Sequence, residues 1–320
     1  MSIPQGFKPT LAAHAVGYPG PGMVSPKIDG VRCFIFDGVA YGRSGKPFKN
    51  QAVQEWARRE ADSLNHCDGE LAFGELNDPL LCSKTTGFLN RTRDESPFKF
   101  VVFDIYDPHL DYQNRLAYLW SEHPHWPANV SVIETYGIDE EREWNEMGVL
   151  FTSLGYEGMM WRAFDAPYLC GRSTDGTGRK APVLLKDKPF TDHDAFIYGY
   201  EEAQHNDNEA TTGALGQTER RSLAEHRRPA GRVGKLLAVD LETGVEFKIG
   251  IFRGVTHERL AAWFRDPASI PKFVKYRKMA HGEKDKPRHS TFLTERVAED
   301  IETIPVWCTS TPRHGRKLNR

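Results

Sequence analysis

The sequence feature that most restricts the fold is the hexapeptide Lys27-Ile28-Asp29-Gly30-Val31-Arg32. Its Asp-Gly pair predicts a sharp turn, the residues from Val31 to Phe36 predict a strand, and Asp37-Gly38 predicts the turn into the next strand. Lys27 would then lie at the end of a strand, beside a backbone bend. A protonated lysine is a poor nucleophile, and it becomes reactive where cationic neighbours or a metal lower its pKa. Taken alone, the pattern fits a surface lysine beside a hairpin equally well.

Five further patterns follow in an order and at spacings that suit successive strands of one domain. Each has a purely structural alternative: a core phenylalanine, an ordinary hairpin carboxylate, or lysines that protect a sheet edge. Their occurrence together predicts a single active site. The five are Tyr41-Gly42-Arg43-Ser44-Gly45-Lys46, Asp68-Gly69-Glu70-Leu71, Phe103-Asp104, Glu157-Gly158-Met159-Met160, and Leu184-Leu185-Lys186-Asp187-Lys188.

Together these segments resemble the motifs of the covalent nucleotidyltransferases, which comprise DNA ligases, RNA ligases and mRNA capping enzymes. In that superfamily the motif lysine attacks the α-phosphate of a nucleotide and retains the nucleoside monophosphate as a phosphoramide. The resemblance implies that Lys27 is the catalytic nucleophile, that Glu70 contacts the ribose and that Phe103 stacks on adenine. It also implies that Arg32 and Arg43 bind the ribose, a phosphate, or the 5′-phosphate of a nick.

Attack on an α-phosphate requires cations close to the phosphate oxygens. Lys186 and Lys188 would supply two of them, because side chains two residues apart on a strand point the same way. A divalent metal, Mg²⁺ or Mn²⁺, would supply another and would be held by Glu157 and by Asp29 or Glu70, since hard metals prefer carboxylates.

The resemblance is to short ATP-dependent DNA ligases of phages and bacteria. Only 26 residues precede Lys27, whereas NAD-dependent ligases carry an extra domain there, so ATP is the expected nucleotide. The segments 273–276 (FVKY) and 288–292 (RHSTF) resemble the closing part of the ligase OB domain. That similarity predicts DNA contacts from Lys275, Arg288 and Arg296.

Three positions depart from the ligase pattern. Ser25 stands where many ligases have a glutamate, which leaves recognition of the adenine amino group unassigned. Asp187 stands between the motif lysines in place of an apolar residue, and the strand period predicts that it faces away from them. The last motif of the superfamily, R-x-D-K, is missing, because Ala298 and Glu299 follow Arg296 where the motif has aspartate and lysine.

The 320 residues suffice for two domains. We predict an α+β fold, with a nucleotidyltransferase domain of the DNA ligase and mRNA capping type over residues 1–189. An OB-fold β-barrel domain is predicted over residues 190–320. Residues 74–97 lack a regular period and are expected to be irregular. The segment 206–231 is polar and is expected to be mobile, either as a surface insertion or as a DNA-binding flap. Its arginines are Arg220, Arg221, Arg227 and Arg228.

Composition agrees with a cytoplasmic protein, and the resemblance implies a bacterial cell or a phage-infected host. No apolar run reaches the roughly 18 residues of a membrane span, and no secretory leader is recognised at residues 1–6. The five cysteines form no C-x-x-C pair, which predicts free thiols and no zinc site. Residues 271–290 hold seven basic and two acidic residues, within a chain of net charge −2. A local positive charge on a nearly neutral protein suits a protein that binds a polyanion and then releases it.

The predicted function is therefore ATP-dependent sealing of nicks in duplex DNA, by a monomer, through a lysyl-AMP intermediate and a DNA-adenylate. Such an enzyme would serve DNA replication, repair and recombination. An RNA ligase or a guanylyltransferase is the alternative within the superfamily. A nick-binding protein without catalysis is the alternative outside the enzymes.

Overall fold

The computed structural model describes residues 7–171, 183–212, 218–220, 226–279, 281–306 and 308. Contacts divide the chain into two compact units. Unit 1 consists of Met1–Lys188 and Thr211–Glu219, and unit 2 consists of Pro189–Ala210 and Arg220–Arg320.

Two five-stranded sheets and five α-helices are found among the described residues of Met1–Lys188 in unit 1. Its strands are β1 (Ala13–His14), β2 (Gly22–Pro26), β3 (Val31–Phe36), β4 (Val39–Gly42), β5 (Cys67–Ala72), β6 (Lys99–Ile105), β7 (Val130–Val132), β8 (Tyr136–Ile138), β9 (Met159–Arg162) and β10 (Leu184–Asp187). Its helices are α1 (Gln51–Arg59), α2 (Ala61–Leu64), α3 (Leu81–Asn90), α4 (Tyr112–Glu122) and α5 (Glu141–Ser153). Sheet I has the order β1-β10-β9-β2-β8, and sheet II has the order β4-β3-β5-β6-β7.

Asn50, followed by Val53, Trp56 and Ala57 at helical spacing, predicts a helix that begins after Asn50, and α1 begins there. Asn50 has extended backbone angles, and its side chain accepts a hydrogen bond of 3.1 Å from the backbone nitrogen of Val53. A side chain of this kind satisfies one of the donors that a helix start leaves unpaired. Val53, Trp56 and Ala57 then turn inward and are buried in the core of sheet II.

Helix α3 corrects the prediction that residues 74–97 are irregular. Thr85-Thr86-Gly87 is a poor helix-forming sequence, but burial overrides this local preference. Leu81, Thr85, Phe88 and Leu89 are buried at helical spacing. The Thr85 hydroxyl accepts a 3.0 Å hydrogen bond from the backbone nitrogen of Phe73, and the ring of Phe88 stacks on that of Phe73 at 4.9 Å.

The C-terminal part of the chain is mainly β-structure. Its strands are β11 (Thr191–Asn206), β12 (Ala210–Thr212), β13 (Thr218–Arg220), β14 (Arg227–Asp240), β15 (Glu246–Ile249), β16 (Ile251–Phe252), β17 (Phe273–Met279) and β18 (Arg288–Arg296), and its helix is α6 (His257–Arg265). Six strands form one sheet in the order β15-β14-β11-β17-β18-β16, while β12 pairs with β13. None of the sheets closes into a barrel over the residues that the structure describes.

The long hairpin of β11 and β14 corrects part of the prediction for residues 206–231. Pairing extends to Asn206 opposite Arg227, so residues 227–231 belong to a strand rather than to a mobile segment. An ion pair of 2.7 Å between Arg228 and Asp207 joins the two strands at this end. Cross-strand pairs of this type stabilise a hairpin whose residues are polar. Among the described residues, no helix is long and apolar enough to cross a membrane.

Candidate active site

Lys27 directly follows β2, and its backbone is bonded to the segment that precedes β9. The Lys27 nitrogen donates to the carbonyl oxygen of Gly158 over 2.9 Å, and the Glu157 nitrogen donates to the carbonyl oxygen of Lys27 over 3.2 Å. Gly158 has φ +153°, and a Cβ atom at this position would collide with the carbonyl oxygen of Asp187. Glycine at residue 158 therefore allows the backbone of Asp187 and Lys188 to approach the segment that carries Glu157.

The carboxylate of Glu157 is shared by two lysines. Its Oε2 pairs with Lys27 Nζ and its Oε1 pairs with Lys188 Nζ. The Glu157 side chain is only 1% exposed. Burial alone would raise its pKa, but the two lysine charges and their hydrogen bonds outweigh burial and lower the pKa to about 2. Glu157 is therefore ionised at every physiological pH.

Opposing effects act on the pKa of the three lysines. For Lys27, burial lowers the pKa, but the charges of Glu157 and Glu70 dominate and the net shift is upward. For Lys186 and Lys188, burial and the neighbouring lysine charges lower the pKa. In its ion pair with Glu157, Lys27 is thus a protonated lysine. The lowered pKa that a lysine nucleophile requires is absent in this state.

Arg32 is held by a carboxylate and by the segment before β1. Its Nε donates to Asp68 Oδ1 over 2.8 Å, its Nη2 donates to Asp68 Oδ2, and its Nη1 donates to the Thr10 carbonyl oxygen over 2.5 Å. The Tyr168 hydroxyl donates to the same Asp68 over 2.6 Å. The Arg32 guanidinium lies 5.2 Å from the centre of the Phe103 ring. This network fixes both the arginine and one face of the ring.

A cleft of about 250 Å³ in unit 1 collects most of the predicted nucleotide-binding residues. Burial raises the pKa of Glu70 to about 7, against the opposing effects of Lys27 and Arg32. The apolar part of the lining includes Met23, Met160 and Trp161. The predicted residues in the lining are Lys27, Arg32, Arg43, Glu70, Phe103 and Lys186. Glu157 joins them through its ion pair with Lys27, and Lys188 joins them through its ion pair with Glu157.

The predicted metal ligands do not form a ready-made metal cage. No group of three or more His, Cys, Asp or Glu side chains suited to a metal occurs among the described residues. Both oxygens of Glu157 are paired with lysines, and a carboxyl with a pKa of about 7, such as Glu70, is a weaker ligand near neutral pH. Mg²⁺ usually binds through one or two carboxylates, water and substrate phosphates. The residues fit a metal that arrives with a nucleotide.

A buried charge cluster beside the cleft escaped the sequence reasoning. Asp104 accepts hydrogen bonds from Arg115 over 2.7 and 3.3 Å and pairs with Arg162, which lines the cleft. Arg162 also lies 4.4 Å from the centre of the Tyr112 ring. Burial lowers the pKa of Arg162 to about 10, and the charge of Arg32 acts in the same direction. The alternation of side chains along β9 could have predicted that Arg162 lies at the cleft, because Arg162 and Met160 are on the same face of the strand.

The predicted DNA-binding residues of unit 2 lie on several strands, and some are engaged within the unit. Arg296 pairs with Asp194 at 3.2 Å and Arg228 pairs with Asp207. Arg288 donates to the carbonyl oxygen of His281 over 3.3 Å. Lys275 lies on β17 and is half-buried, and Arg227 is exposed at the start of β14. The side chain of Arg220 and all of Arg221 lie outside the described residues.

Comparison with solved structures identifies the fold. A Lig E DNA ligase, described as binding DNA with a minimal scaffold, matches 90% of this chain and 99% of its own, with 22% identity and a TM-score of 0.62. The chain has the fold of a DNA ligase. A second structure, Pmar-Lig_PreS3, matches 91% of this chain and 68% of its own, with 18% identity and a TM-score of 0.65. No protein-family model matches the sequence, and no curated protein matches it.

Proposed function

We propose that this protein is an ATP-dependent DNA ligase that seals nicks in duplex DNA. The observation that carries the proposal is the Lys27–Glu157–Lys188 ion-pair group at a cleft of about 250 Å³, on a chain with the fold of a DNA ligase. A largely buried lysine held beside further cations suits attack on a phosphate, because those cations stabilise the charge that develops on the phosphate oxygens.

In the proposed reaction, Lys27 Nζ forms a bond to the α-phosphorus of ATP and the bond to the pyrophosphate oxygen breaks. The 5′-phosphate of the nick then attacks the same phosphorus, which releases Lys27 and gives a DNA-adenylate. Finally the 3′-hydroxyl attacks the 5′-phosphate and AMP leaves. The carboxylate of Glu157 orients Lys27, while Lys186 and Lys188 neutralise phosphate oxygens.

Lys27 must lose its proton before the first step. Bound Mg²⁺ or Mn²⁺ would supply positive charge near Lys27 and the phosphates, with carboxylates from Asp29, Glu70 or Glu157. That positive charge favours the neutral amine that the reaction needs.

The remaining roles follow the motif resemblance and the cleft. Phe103, with Arg32 beside one face, offers its ring to adenine, and Glu70 contacts the ribose. Arg43 lines the cleft and would meet the 5′-phosphate of the nick. We place unit 2 in the OB-fold class, with Lys275, Arg288 and Arg296 facing DNA. The protein would act as a cytoplasmic monomer in DNA replication, repair and recombination.

Labelled nucleotides test the proposal. The wild type should form a covalent adduct with α-labelled ATP and not with GTP, and should then seal nicked DNA in preference to nicked RNA. Lys84→Ala, an exposed lysine paired with Asp78, serves as the control for Lys27→Ala. Adduct formation from GTP would favour a guanylyltransferase, and preference for RNA would favour an RNA ligase. Nick binding without any adduct would favour a protein that has lost catalysis.

The segment 206–231, between the end of β11 and the first residues of β14, is the second proposed DNA contact. Changing Arg220, Arg221, Arg227 and Arg228 together to alanine should weaken nick binding, most visibly at low salt. Loss of four phosphate contacts would flatten the salt dependence by about four units at most. An unaltered affinity and salt slope would leave this segment as a surface insertion.

A further inference from the structure

The turn after β4 is a rigid hairpin. The Gly42 nitrogen donates to the Lys46 carbonyl oxygen over 2.9 Å, and the Phe48 nitrogen donates to the Ala40 carbonyl oxygen over 3.2 Å. The Gln54 amide, on α1, bonds the backbone of both Ala40 and Phe48 at 2.8–3.1 Å. Phe48 is 4% exposed and anchors the returning strand in the core. The side chains of this turn are therefore displayed from a fixed backbone.

Basic side chains continue outward from the cleft along this hairpin. Arg43 lines the cleft, and Lys46 and Lys49 follow it as exposed residues. The loop beyond α3 adds Arg93, whose Nε donates to Gln51 Oε1 over 3.1 Å at the start of α1. We call Lys46, Lys49 and Arg93 the basic strip. None of the three forms a salt bridge with a carboxylate in the part of the chain that the structure describes.

Other basic residues of unit 1 differ from the basic strip. Lys84 pairs with Asp78, Arg91 pairs with Asp94 at 2.7 Å, and Lys99 pairs with Glu75 at 3.0 Å. Their charge is balanced by the protein itself. The basic strip instead presents charge that needs an external anion, and it starts where the cleft opens at Arg43.

We propose that the basic strip binds consecutive backbone phosphates of the DNA strand whose end enters the cleft. This inference rests on the proposed function and deepens it. Lys46 and Lys49 lie three residues apart, and Arg93 is bonded to Gln51, which lies two residues beyond Lys49. Three cations close together on one surface suit neighbouring backbone phosphates, and such contacts would hold the reacting end beside Lys27 without reading the base sequence.

The salt dependence of nick binding tests the proposal. The strip variant Lys46→Ala/Lys49→Ala/Arg93→Ala and the control variant Lys84→Ala/Arg91→Ala/Lys99→Ala each remove three positive charges. Loss of three phosphate contacts should reduce the salt slope by about 2.7, so that between 50 and 200 mM salt the wild-type affinity falls about 40-fold more than that of the strip variant. The control should keep the wild-type slope. The conservative variant Lys46→Arg/Lys49→Arg/Arg93→Lys should restore it.

Neutral methylphosphonate linkages identify the strand. Placed next to the nick, in either the 5′-phosphate strand or the 3′-hydroxyl strand, they should weaken wild-type binding but have little further effect on the strip variant. If the methylphosphonates in one strand weaken binding of the wild type but not of the strip variant, the two changes are not additive, and that strand is the one that the strip binds. Equal slopes for the strip and control variants, or additive effects on every strand, would overturn the proposal. Formation of the Lys27 adduct in the absence of DNA is measured separately. If no adduct forms, that result contradicts the proposed function and not the proposal for the basic strip.

Discussion

Replacing Glu157 by glutamine removes one negative charge from between two buried lysines while nearly preserving shape. Lys27 and Lys188 are 19% and 15% exposed, so in the variant their ammonium groups would face each other with little solvent to screen them. We expect a less stable unit 1, because two buried like charges would then lack their shared counter-ion.

The pKa of Glu157 gives the magnitude. A shift from 4.5 to about 2 corresponds to about 3 kcal/mol of stability at neutral pH. The folded-state pKa lies below the unfolded value, so this stabilisation is present above about pH 4.5 and is lost as the pH falls towards 2. About 2 kcal/mol of the difference between wild type and variant should therefore disappear between pH 7 and pH 3.

Urea denaturation, monitored by tryptophan fluorescence, measures the difference in the free energy of unfolding between wild type and variant at pH 7, 5 and 3. Nucleotide and divalent metal are left out of these samples. Glu146→Gln is the matched control, because Glu146 is 60% exposed and pairs with Arg142 on the surface of α5. Its effect should stay below about 1 kcal/mol. A Glu157→Gln effect as small as that of the control at pH 7, or one that stays constant down to pH 3, would refute the reasoning.

Three further outcomes can be measured. Lys27→Ala should form no AMP adduct yet seal a nick that already carries a 5′-adenylate, and an adduct of wild-type strength would contradict its role as nucleophile. Phe103→Ala should raise the ATP concentration needed for adduct formation, with partial recovery in Phe103→Leu, since stacking on a base contributes about 1–3 kcal/mol; a variant that simply unfolds would indicate a core role. Iodoacetamide at pH 8 should label Cys170 first, because Cys170 is exposed and burial raises the pKa of Cys33 and Cys67; rapid labelling of either buried thiol in mass spectra would contradict the structure.

Local patterns in the sequence predict much of unit 1 and the set of residues at its cleft. Asn50 caps α1, and six of the residues that the resemblance selects line one cleft. Local patterns suffice for these features because strand alternation, turn chemistry and a sequence motif are each contained in a short segment.

The missed features depend on partners that are distant in sequence. Asp104 meets Arg115 and Arg162, which lie 11 and 58 residues away, and a lone arginine in a sequence is usually a surface residue. Helix α3 forms despite an unfavourable local sequence because its apolar side chains are buried against sheet II. Burial of this kind depends on the whole fold, and the sequence shows it only as a weak helical spacing of apolar residues.

The two sheets of unit 1 also differ in how much of the chain must exist before each can form. Sheet II uses residues 31–132 alone, whereas sheet I pairs Val24 with Trp161 and Ala13 with Leu185. On a ribosome, therefore, sheet II can pair while β9 and β10 are still being synthesised, and the costlier long-range closure of sheet I comes last. A nascent chain that stops before Glu157 holds Lys27 without its counter-ion and without the motif lysines. The proposed nucleotide chemistry would thus begin only after the chain has been made as far as Lys188.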